Sequence, residues 1–328
     1  MPAQLKAVSL FSGCGGFDWG AQQAGVEIIW ANDVDPHAAT AYRGLFPNVE
    51  FHEGDIRGIG AFPEADVLIG CYPCTGFSVA ARRRSPHRGA ERELRANEGN
   101  FLYQEFLRAL RQVRPKYLFV ENVKGMVCAE DGWFLAKQVN CFRHAGYSIS
   151  LKRLKASAYG VSQQRERVFI VGVRSDVVKT RRFKYAFPEP THGPGTTHPY
   201  ATLHDTIGGM PLWPEGEYCE SPFHGHYLTR NRKRGWGDLS YTIVAHAHHV
   251  PLHPLGEPMQ NIGQDAWALQ GGENRRLSWR ECAAIQGLPL HVEPSGSLMN
   301  KHRVVGNAVP PAFGRNLLAP VVALESEE

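Results

Sequence analysis

Two side chains suited to covalent catalysis each follow an apolar run of the chain. Cys74 comes four residues after the run 66–70, and Glu121 directly follows the run 117–120. A cysteine thiolate adds to electron-poor carbon atoms, and a neighbouring carboxyl group can donate or accept a proton. Pro73 stiffens the turn that presents the thiol. The pair indicates nucleophilic catalysis, although a buried, unreactive thiol is the commoner state of a free cysteine.

Cys71 and Cys74 also form a Cys-x-x-Cys pair, which raises the alternative of dithiol chemistry. Redox pairs of this kind usually open a helix in a small thioredoxin-like unit, whereas here a segment rich in glycine and arginine follows. The seven cysteines are odd in number and scattered, which argues against a disulfide framework and favours a reducing compartment. No second Cys-x-x-Cys pair supplies zinc ligands, so we expect no bound metal.

A glycine-rich turn at 11–16 lies between a predicted strand and a predicted helix. Glycines at such a turn let a ligand approach the backbone at the carboxyl edge of a sheet. Asp33 follows Gly13 by 20 residues, where a carboxylate can accept hydrogen bonds from ribose, and Asp55 follows the next short strand. The spacing differs from Gly-x-Gly-x-x-Gly, and no Gly-Lys-Ser/Thr follows to hold phosphates. A nucleoside site and plain turn glycines both remain open.

Basic residues are concentrated near the predicted nucleophile. The segment 82–97 carries six arginines and two glutamates, a net charge of +4 that equals the net charge of the whole chain. The remaining residues are therefore balanced, and the location of the excess indicates a phosphate backbone as partner. A solvated charge run is the alternative. Arg165 and Arg167 can bind a base oxygen, a carboxylate or a phosphate bidentately, or can form structural ion pairs.

Short apolar runs alternate with helical patterns through the first half of the chain. This alternation predicts an α/β fold with a parallel sheet covered on both faces. The predicted strands are 5–11, 27–31, 49–51, 66–70 and 117–120, followed by 147–155 and 167–173. The predicted helices are 17–24, 36–45, 101–113 and 133–144.

The pattern changes after residue 174. Residues 187–255 are dense in Pro, Gly and His, with 241–244 as the best strand, so they indicate a second, smaller and irregular lobe. Ser278 and Glu281 form a capping box that opens a helix to about residue 286, and 307–323 is predicted as a last helix. We expect a catalytic domain over 1–174 completed by 305–328, a second lobe over 175–275, and a hinge helix with a return segment over 276–304. No apolar run is long enough for a membrane span, and no secretory signal is evident.

Six short motifs follow one another in a distinctive order: LFSGCGG, PC, ENV, QQRER, RRLSWRECAAIQG and GNAVPP. With these motifs the chain resembles the DNA (cytosine-5) methyltransferases of the type II modification systems, over about residues 5–320. Within the irregular lobe, TRNRKRGW at 229–236 and LHP at 252–254 are similar to the branch that methylates GGCC. The resemblance implies a Rossmann-like mixed sheet that binds S-adenosylmethionine, with the smaller lobe as a target-recognition region.

The resemblance also implies an activity and its residues. A methyl group would pass from S-adenosylmethionine to carbon 5 of a flipped-out cytosine in a short duplex DNA sequence, leaving S-adenosylhomocysteine. Cys74 would add to carbon 6, and Glu121, Arg165 and Arg167 would hold the base and the reactive geometry. The cofactor would contact Phe11, Gly13, Gly15, Asp33, Val34, Asp55, Ile56, Leu102, Asn307 and Val309. The DNA would contact Ser78, Arg82, Arg83, Arg84, Arg230, Arg232, Arg234 and Thr242.

The chain departs from the family pattern beside the nucleophile. Cys71 and Thr75 flank a Tyr-Pro-Cys where the family usually shows Gly-Pro-Pro-Cys-Gln or Gly-Phe-Pro-Cys-Gln, and Val34 stands where many relatives have an aromatic residue. Alternatives are an RNA cytosine methyltransferase, a DNA-binding protein without catalysis and a dinucleotide oxidoreductase. We expect a monomer without an obligate protein partner, accompanied by a cognate restriction endonuclease, in the cytoplasm beside bacterial or phage-like DNA.

Overall fold

A seven-stranded mixed sheet forms the centre of the computed structural model, which describes residues 4–73 and 97–327. Five strands are parallel, and β7 is antiparallel to both of its neighbours, β5 and β6. The order is β3-β2-β1-β4-β5-β7-β6. The strands are β1 Lys6–Leu10, β2 Glu27–Asp33, β3 Glu50–Glu53, β4 Val67–Gly70, β5 Tyr117–Val123, β6 Tyr147–Lys155 and β7 Glu166–Arg174. The α/β class and the mixed sheet are confirmed.

Helices cover both faces of this sheet, as the alternation of elements predicted. Successive residues of a strand point to opposite faces, and accordingly Ala7 and Val67 belong to one buried cluster while Val8 and Leu68 belong to another. The helices of this half are α1 Gly16–Gln23, α2 Pro36–Leu45, α3 Tyr103–Val113, α4 Trp133–His144 and α5 Ser175–Arg181. The later helices are α6 Leu203–Ile207, α7 Trp279–Gln286, α8 Leu298–Asn307 and α9 Pro311–Ser326.

The last predicted helix, 307–323, is confirmed over 311–323, but its predicted start is wrong. The chain forms α8 and α9 there, separated by a break at 308–310 in which Ala308 and Pro310 are extended. Proline lacks an N–H donor and disfavours helical geometry in the residue before it, so the adjacent Pro310 and Pro311 end one helix and begin another. The break directs residues 307–310 toward the start of α1.

Helices α1 and α9 pack unusually closely. A Cβ atom on Gly20 of α1 would lie 1.9 Å from the carbonyl oxygen of Pro311, and one on Gly314 of α9 would lie 2.2 Å from that of Phe17. Such distances exclude any side chain at these two positions, so the backbones meet directly. This contact fixes α1, and with it the glycine-rich turn at its start.

The second lobe has few regular elements. Its strands in the described chain are the short hairpin β8 Gln260–Gly263 and β9 Ala266–Ala268, and Tyr227, Leu252 and Met259 form a small core of their own. The predicted strand 241–244 is wrong, because side-chain bonds replace a ladder: the Ile243 N–H donates to Gln163 Oε1, and only Ser240 forms an isolated bridge, with Gln163. Among the described residues, no helix is long and apolar enough to cross a membrane.

Candidate active site

The glycine-rich turn is held by the carboxylate predicted to accompany it. The Gly13 N–H donates to Asp33 Oδ2 at 2.7 Å, and the Asp35 N–H donates to Asp33 Oδ1 at 2.9 Å. Burial raises the pKa of Asp33. Phe11 and Gly13 both have a φ of 57°, and a Cβ on Gly13 would meet no atom within 4 Å. The turn therefore combines a left-handed backbone, open space and a fixed carboxylate at the carboxyl edge of the sheet.

The other predicted cofactor residues surround this turn at the ends of neighbouring elements. Val34 is 66% exposed directly after β2, and Asp55 accepts hydrogen bonds from the backbone and the guanidinium of Arg57, the closest at 2.6 Å. These bonds lower the pKa of the Asp55 carboxyl. Ile56 is buried beside Asp55, and Leu102 packs against the same apolar cluster as Phe11.

The start of α1 is the second boundary of the site. Gly15 is its N-cap with a φ of 82°, and a Cβ there would lie 2.4 Å from the Phe46 ring. The carbonyl oxygen of Val309 is 2.2 Å from where a Gly16 Cβ would stand, so the GNAVPP motif lies against the turn. Asn307 is exposed at the end of α8.

These residues suit a nucleoside ligand better than a phosphate ligand. Asp33 offers acceptors for hydroxyl groups, Asp55 offers an acceptor for an amine, and Val34 offers an exposed aliphatic surface. The donor set thus fits S-adenosylmethionine, whose sugar, base and sulfonium carry no phosphate.

A shielded ion pair occupies the carboxyl end of β5. Arg167 Nε lies 2.7 Å from Glu121 Oε1, with 15% and 11% of the two side chains exposed. The antiparallel register pairs Glu121 with Phe169 and Val123 with Arg167, which places the guanidinium diagonally across from the carboxylate. Such a shielded ion pair holds the carboxylate beside the guanidinium.

The residues before the predicted nucleophile run alongside this ion pair. The parallel register pairs Gly70 of β4 with Val120 of β5, so the next residues, Cys71 and Glu121, leave the sheet side by side. Burial, and secondarily the charge of Glu121, raises the pKa of the Cys71 thiol, so this thiol stays protonated. Cys74, Ser78, Arg82, Arg83 and Arg84 lie outside the described residues.

Arg165 is more deeply buried than Arg167, and the charges of both Arg167 and Glu121 act on it. The side chain is buried, and its guanidinium donates to the carbonyl oxygens of Ile243 at 3.2 Å, Gly306 at 3.3 Å and Ala308 at 2.8 Å. Its two terminal nitrogens, Nη1 and Nη2, are thus bonded to backbone carbonyls of the interior. Its burial lowers its pKa. Arg165 joins the start of β7 to the second lobe and to the end of α8.

The predicted DNA contacts of the second lobe divide into two groups. Arg230 is exposed, Arg234 stacks on the Tyr241 ring at 4.2 Å and donates to Gln164 Oε1 at 3.2 Å, and the Thr242 hydroxyl donates to the Gln164 carbonyl. Arg232 differs, because it is 6% exposed and donates to backbone carbonyls of the lobe core, so the structure does not support a DNA contact for it.

Sequence reasoning missed the role of two buried residues that connect distant segments of the chain. Lys233 belongs to the basic stretch 229–236. It is 5% exposed and donates to the carbonyls of Leu255 and Glu257. Gln163, in the QQRER motif, donates to Gln286 Oε1 at 3.1 Å. A run of basic residues gives no sign of which side chains point inward, so the burial of Lys233 could not be predicted. Gln163 lies between a predicted turn and a predicted strand, and a structural role in joining segments could have been considered for it.

The fold is shared with solved structures of low sequence identity. The structure superposes on Entamoeba histolytica methyltransferase EhMeth with a TM-score of 0.71 at 13% identity, covering 97% of this chain and 99% of that one. It superposes on S. pombe Dnmt2 methyltransferase with a TM-score of 0.64 at 18% identity, covering 99% of each. These similarities identify the Rossmann-like methyltransferase fold.

The family follows from the sequence comparisons. The profile of the C-5 cytosine-specific DNA methylase family matches residues 5–322, and the chain belongs to this family. It is 35% identical to the type II methyltransferase M.BsuRI of Bacillus subtilis, over 97% of this chain and 79% of that protein. It is 31% identical to M.NgoPII of Neisseria gonorrhoeae, over 97% of this chain and 95% of that protein. The protein is therefore a DNA (cytosine-5) methyltransferase of the type found in restriction–modification systems.

Proposed function

We propose that this enzyme transfers the methyl group of S-adenosylmethionine to carbon 5 of a cytosine flipped out of a short duplex DNA sequence. The observation that carries the proposal is the oriented Glu121–Arg167 pair at the sheet edge, alongside residues 71–73 that lead directly to Cys74. Family membership supplies the cytosine and the carbon-5 position.

The residue types explain how an unreactive carbon is activated. Carbon 5 of cytosine is a poor nucleophile. The Cys74 thiolate adds to carbon 6, forming a C–S bond, while the Glu121 carboxyl protonates or hydrogen-bonds ring nitrogen 3 as electron density moves onto the ring. Carbon 5 thereby becomes enamine-like. Arg167 orients Glu121 and is available to the base oxygen.

The remaining steps are methyl donation by the cofactor and release of the methylated base from Cys74. When bound by Asp33, Val34, Asp55 and the glycine-rich turn, S-adenosylmethionine supplies an electrophilic methyl group at its sulfonium. Removal of the carbon-5 proton by a base returns its electron pair to the ring, and the C–S bond breaks to release the Cys74 thiolate. The enzyme is then regenerated and the base is aromatic again.

Duplex DNA is the proposed substrate. A base in the stack cannot reach a pocket at the sheet edge, so the target base must be flipped out, at a cost of a few kcal/mol. Contacts from the arginine segment 82–97 and from Arg230, Arg234 and Thr242 would offset that cost. We propose GGCC as the target, on the similarity of 229–236 and 252–254 to that branch. We further propose that the enzyme acts as a monomer on cytoplasmic DNA. A restriction endonuclease of the same specificity would accompany it.

Methyl transfer to defined duplexes tests this function. The protein is incubated with labelled S-adenosylmethionine and a duplex containing GGCC or a scrambled site, and the products are mapped by bisulfite sequencing. We expect label at carbon 5 of one cytosine of GGCC, no label after Cys74→Ala, and full labelling after Cys128→Ala, which removes an exposed cysteine. Absence of carbon-5 label would refute the reaction, label on the scrambled duplex alone would refute the target, and preference for transfer RNA would refute the DNA substrate.

A further inference from the structure

A buried hydrogen bond anchors the residues that lead to the predicted nucleophile. The Tyr72 hydroxyl donates to Gln138 Oε1 at 2.7 Å, and the two residues are 3% and 0% exposed. Tyr72 lies two residues after the end of β4 and two before Cys74 in the chain. Its ring also packs edge-on against Phe11, with 6.1 Å between the ring centroids, and in a tilted arrangement against Phe106, at 5.8 Å.

The same glutamine reaches the segment that follows the catalytic carboxylate. Gln138 Nε2 donates to Met126 Sδ at 3.5 Å. Met126 is fully buried in the 3-10 turn Lys124–Val127, which directly follows β5 and lies three residues after Glu121. One side chain of α4 therefore contacts both segments that leave the sheet beside each other.

Packing alone does not account for this pair of polar groups. Tyr72 and Gln138 lie in an apolar cluster with Phe106, Met126 and Phe134, where a phenylalanine and a leucine would fill similar volumes. A buried amide or hydroxyl costs free energy unless it is hydrogen-bonded, and hydrogen bonds in such a site fix orientation more than they add stability. The pair is therefore suited to setting the relative position of the two segments.

We propose that Tyr72 and Gln138 are positioning residues for the methyl transfer, holding the thiol-bearing segment in register with the carboxylate-bearing one. The inference rests on the proposed function. Covalent addition depends steeply on the alignment of thiolate and carbon 6, and small misplacements of a reacting group cost large factors in rate. Substrate binding does not depend on that alignment. Substitution of either residue should therefore lower the rate of the chemical step and leave the KM values unchanged.

A double-mutant cycle with a matched control tests the proposal. Tyr72→Phe, Gln138→Leu and the double variant are compared with Tyr147→Phe, which removes a buried tyrosine bond, to the Pro115 carbonyl at 2.8 Å, from the same apolar cluster. The measurements are the single-turnover methylation rate, the KM values for DNA and S-adenosylmethionine, and the melting temperature.

We expect each single variant to lower the single-turnover rate roughly tenfold with unchanged KM values, since a net hydrogen bond of about 1.4 kcal/mol corresponds to a factor of ten. The double variant should be no slower than either single variant, because the two groups act as one unit. Tyr147→Phe should lower the melting temperature about as much as Tyr72→Phe does, and it should leave the single-turnover rate unchanged.

Three results would overturn the inference: a Tyr72→Phe rate equal to that of Tyr147→Phe, multiplicative losses in the double variant, or a loss confined to KM. If Tyr72→Phe does not fold, Gln138→Leu at the wild-type rate is sufficient to overturn it. Failure of the proposed function is distinct, because the wild-type enzyme would then transfer no methyl group to DNA.

Discussion

At the scale of single residues, the two arginines of QQRER have different surroundings. Arg167 forms an ion pair with Glu121 at the sheet edge, whereas Arg165 is buried and bonded to three backbone carbonyls of two distant segments. The sequence places both at the start of one strand and offers no sign of which one faces the site. Their exposure and partners separate a role in chemistry from a role in assembly.

Substitution of these arginines should separate rate from stability. Arg167→Gln should lower the methylation rate about a hundredfold, because Glu121 loses the charged group that orients it, with little change in melting temperature. Arg165→Gln should destabilise the fold by about 3 kcal/mol, since buried carbonyls lose their charged donor. Rate assays and urea unfolding measure the two effects. Equal effects of both variants on rate at matched stability would contradict the assignment.

Asp33 supports both the turn and the proposed nucleoside contact. Asp33→Ala removes the acceptor of the Gly13 and Asp35 N–H groups, so the S-adenosylmethionine Kd should rise at least about tenfold by the loss of hydrogen bonds to a charged group. Glu50→Gln, on the exposed surface of the neighbouring β3, is the control and should leave the Kd unchanged. Isothermal titration measures both. An unchanged Kd in Asp33→Ala would place the cofactor elsewhere.

At the scale of elements, the close contact between α1 and α9 positions the glycine-rich turn. Gly20→Ala would improve helix propensity by nearly 1 kcal/mol in an isolated helix. Here its Cβ would lie 1.9 Å from the Pro311 carbonyl oxygen and 2.7 Å from the Arg315 nitrogen, so the helices must separate.

We therefore expect Gly20→Ala to be destabilising by about 1–3 kcal/mol, as for overpacked cores, and to weaken S-adenosylmethionine binding. Gly58→Ala, where a Cβ would meet no atom within 4 Å, is the matched control and should be close to neutral. Thermal unfolding and cofactor titration are the measurements. A stabilised Gly20→Ala variant would show that the helices tolerate displacement.

The elements show how far local sequence patterns determine this fold. Alternating apolar runs and helices predicted every strand of the sheet, because a doubly covered sheet requires those patterns. The break between α8 and α9 was missed although Pro310 and Pro311 signal it. The expected strand at 241–244 failed because the Ile243 N–H bonds to the Gln163 side chain and the Thr242 hydroxyl bonds to the Gln164 backbone carbonyl, contacts that no local pattern reveals.

At the scale of the whole molecule, buried histidines make stability depend on pH. Burial lowers the pKa of His253 and of His302 from 6.5 to about 4, and that of His249 to about 4. Between pH 6.5 and 4 the unfolded chain binds protons that the folded protein does not, so stability is full above pH 6.5 and falls with decreasing pH. Asp18 opposes this trend, because burial raises its pKa from 3.8 to about 6 and the folded state gains a proton there.

Burial also lowers the pKa of His192 and raises that of Asp33, so four histidines oppose two aspartates. The histidines outweigh the aspartates, and the urea midpoint should be lower at pH 5 than at pH 7.5. His302→Leu should reduce that difference, because it removes one buried group that titrates in the window. Urea titrations followed by intrinsic fluorescence at both pH values measure it. A midpoint that rises on acidification would contradict the assigned burial of these rings.

The positions of the glycine-rich turn and of the Glu121–Arg167 pair follow from motifs, because the turn and Glu121 end predicted strands and Arg167 begins the antiparallel one beside Glu121. The inward-facing members of the basic stretch, Arg232 and Lys233, do not, because their burial depends on carbonyls contributed by distant segments of the lobe. Composition and periodicity do not predict which distant segments of the irregular second lobe contact one another.

The most direct measurement is the site of covalent attachment to a trapped base. A GGCC duplex carrying 5-fluorocytosine at the target has no removable proton on carbon 5, so the C–S bond persists after methyl transfer. Incubation with S-adenosylmethionine followed by peptide mapping by mass spectrometry identifies the attached residue. The account predicts a cofactor-dependent adduct on Cys74; no adduct, or an adduct on Cys71, would contradict it.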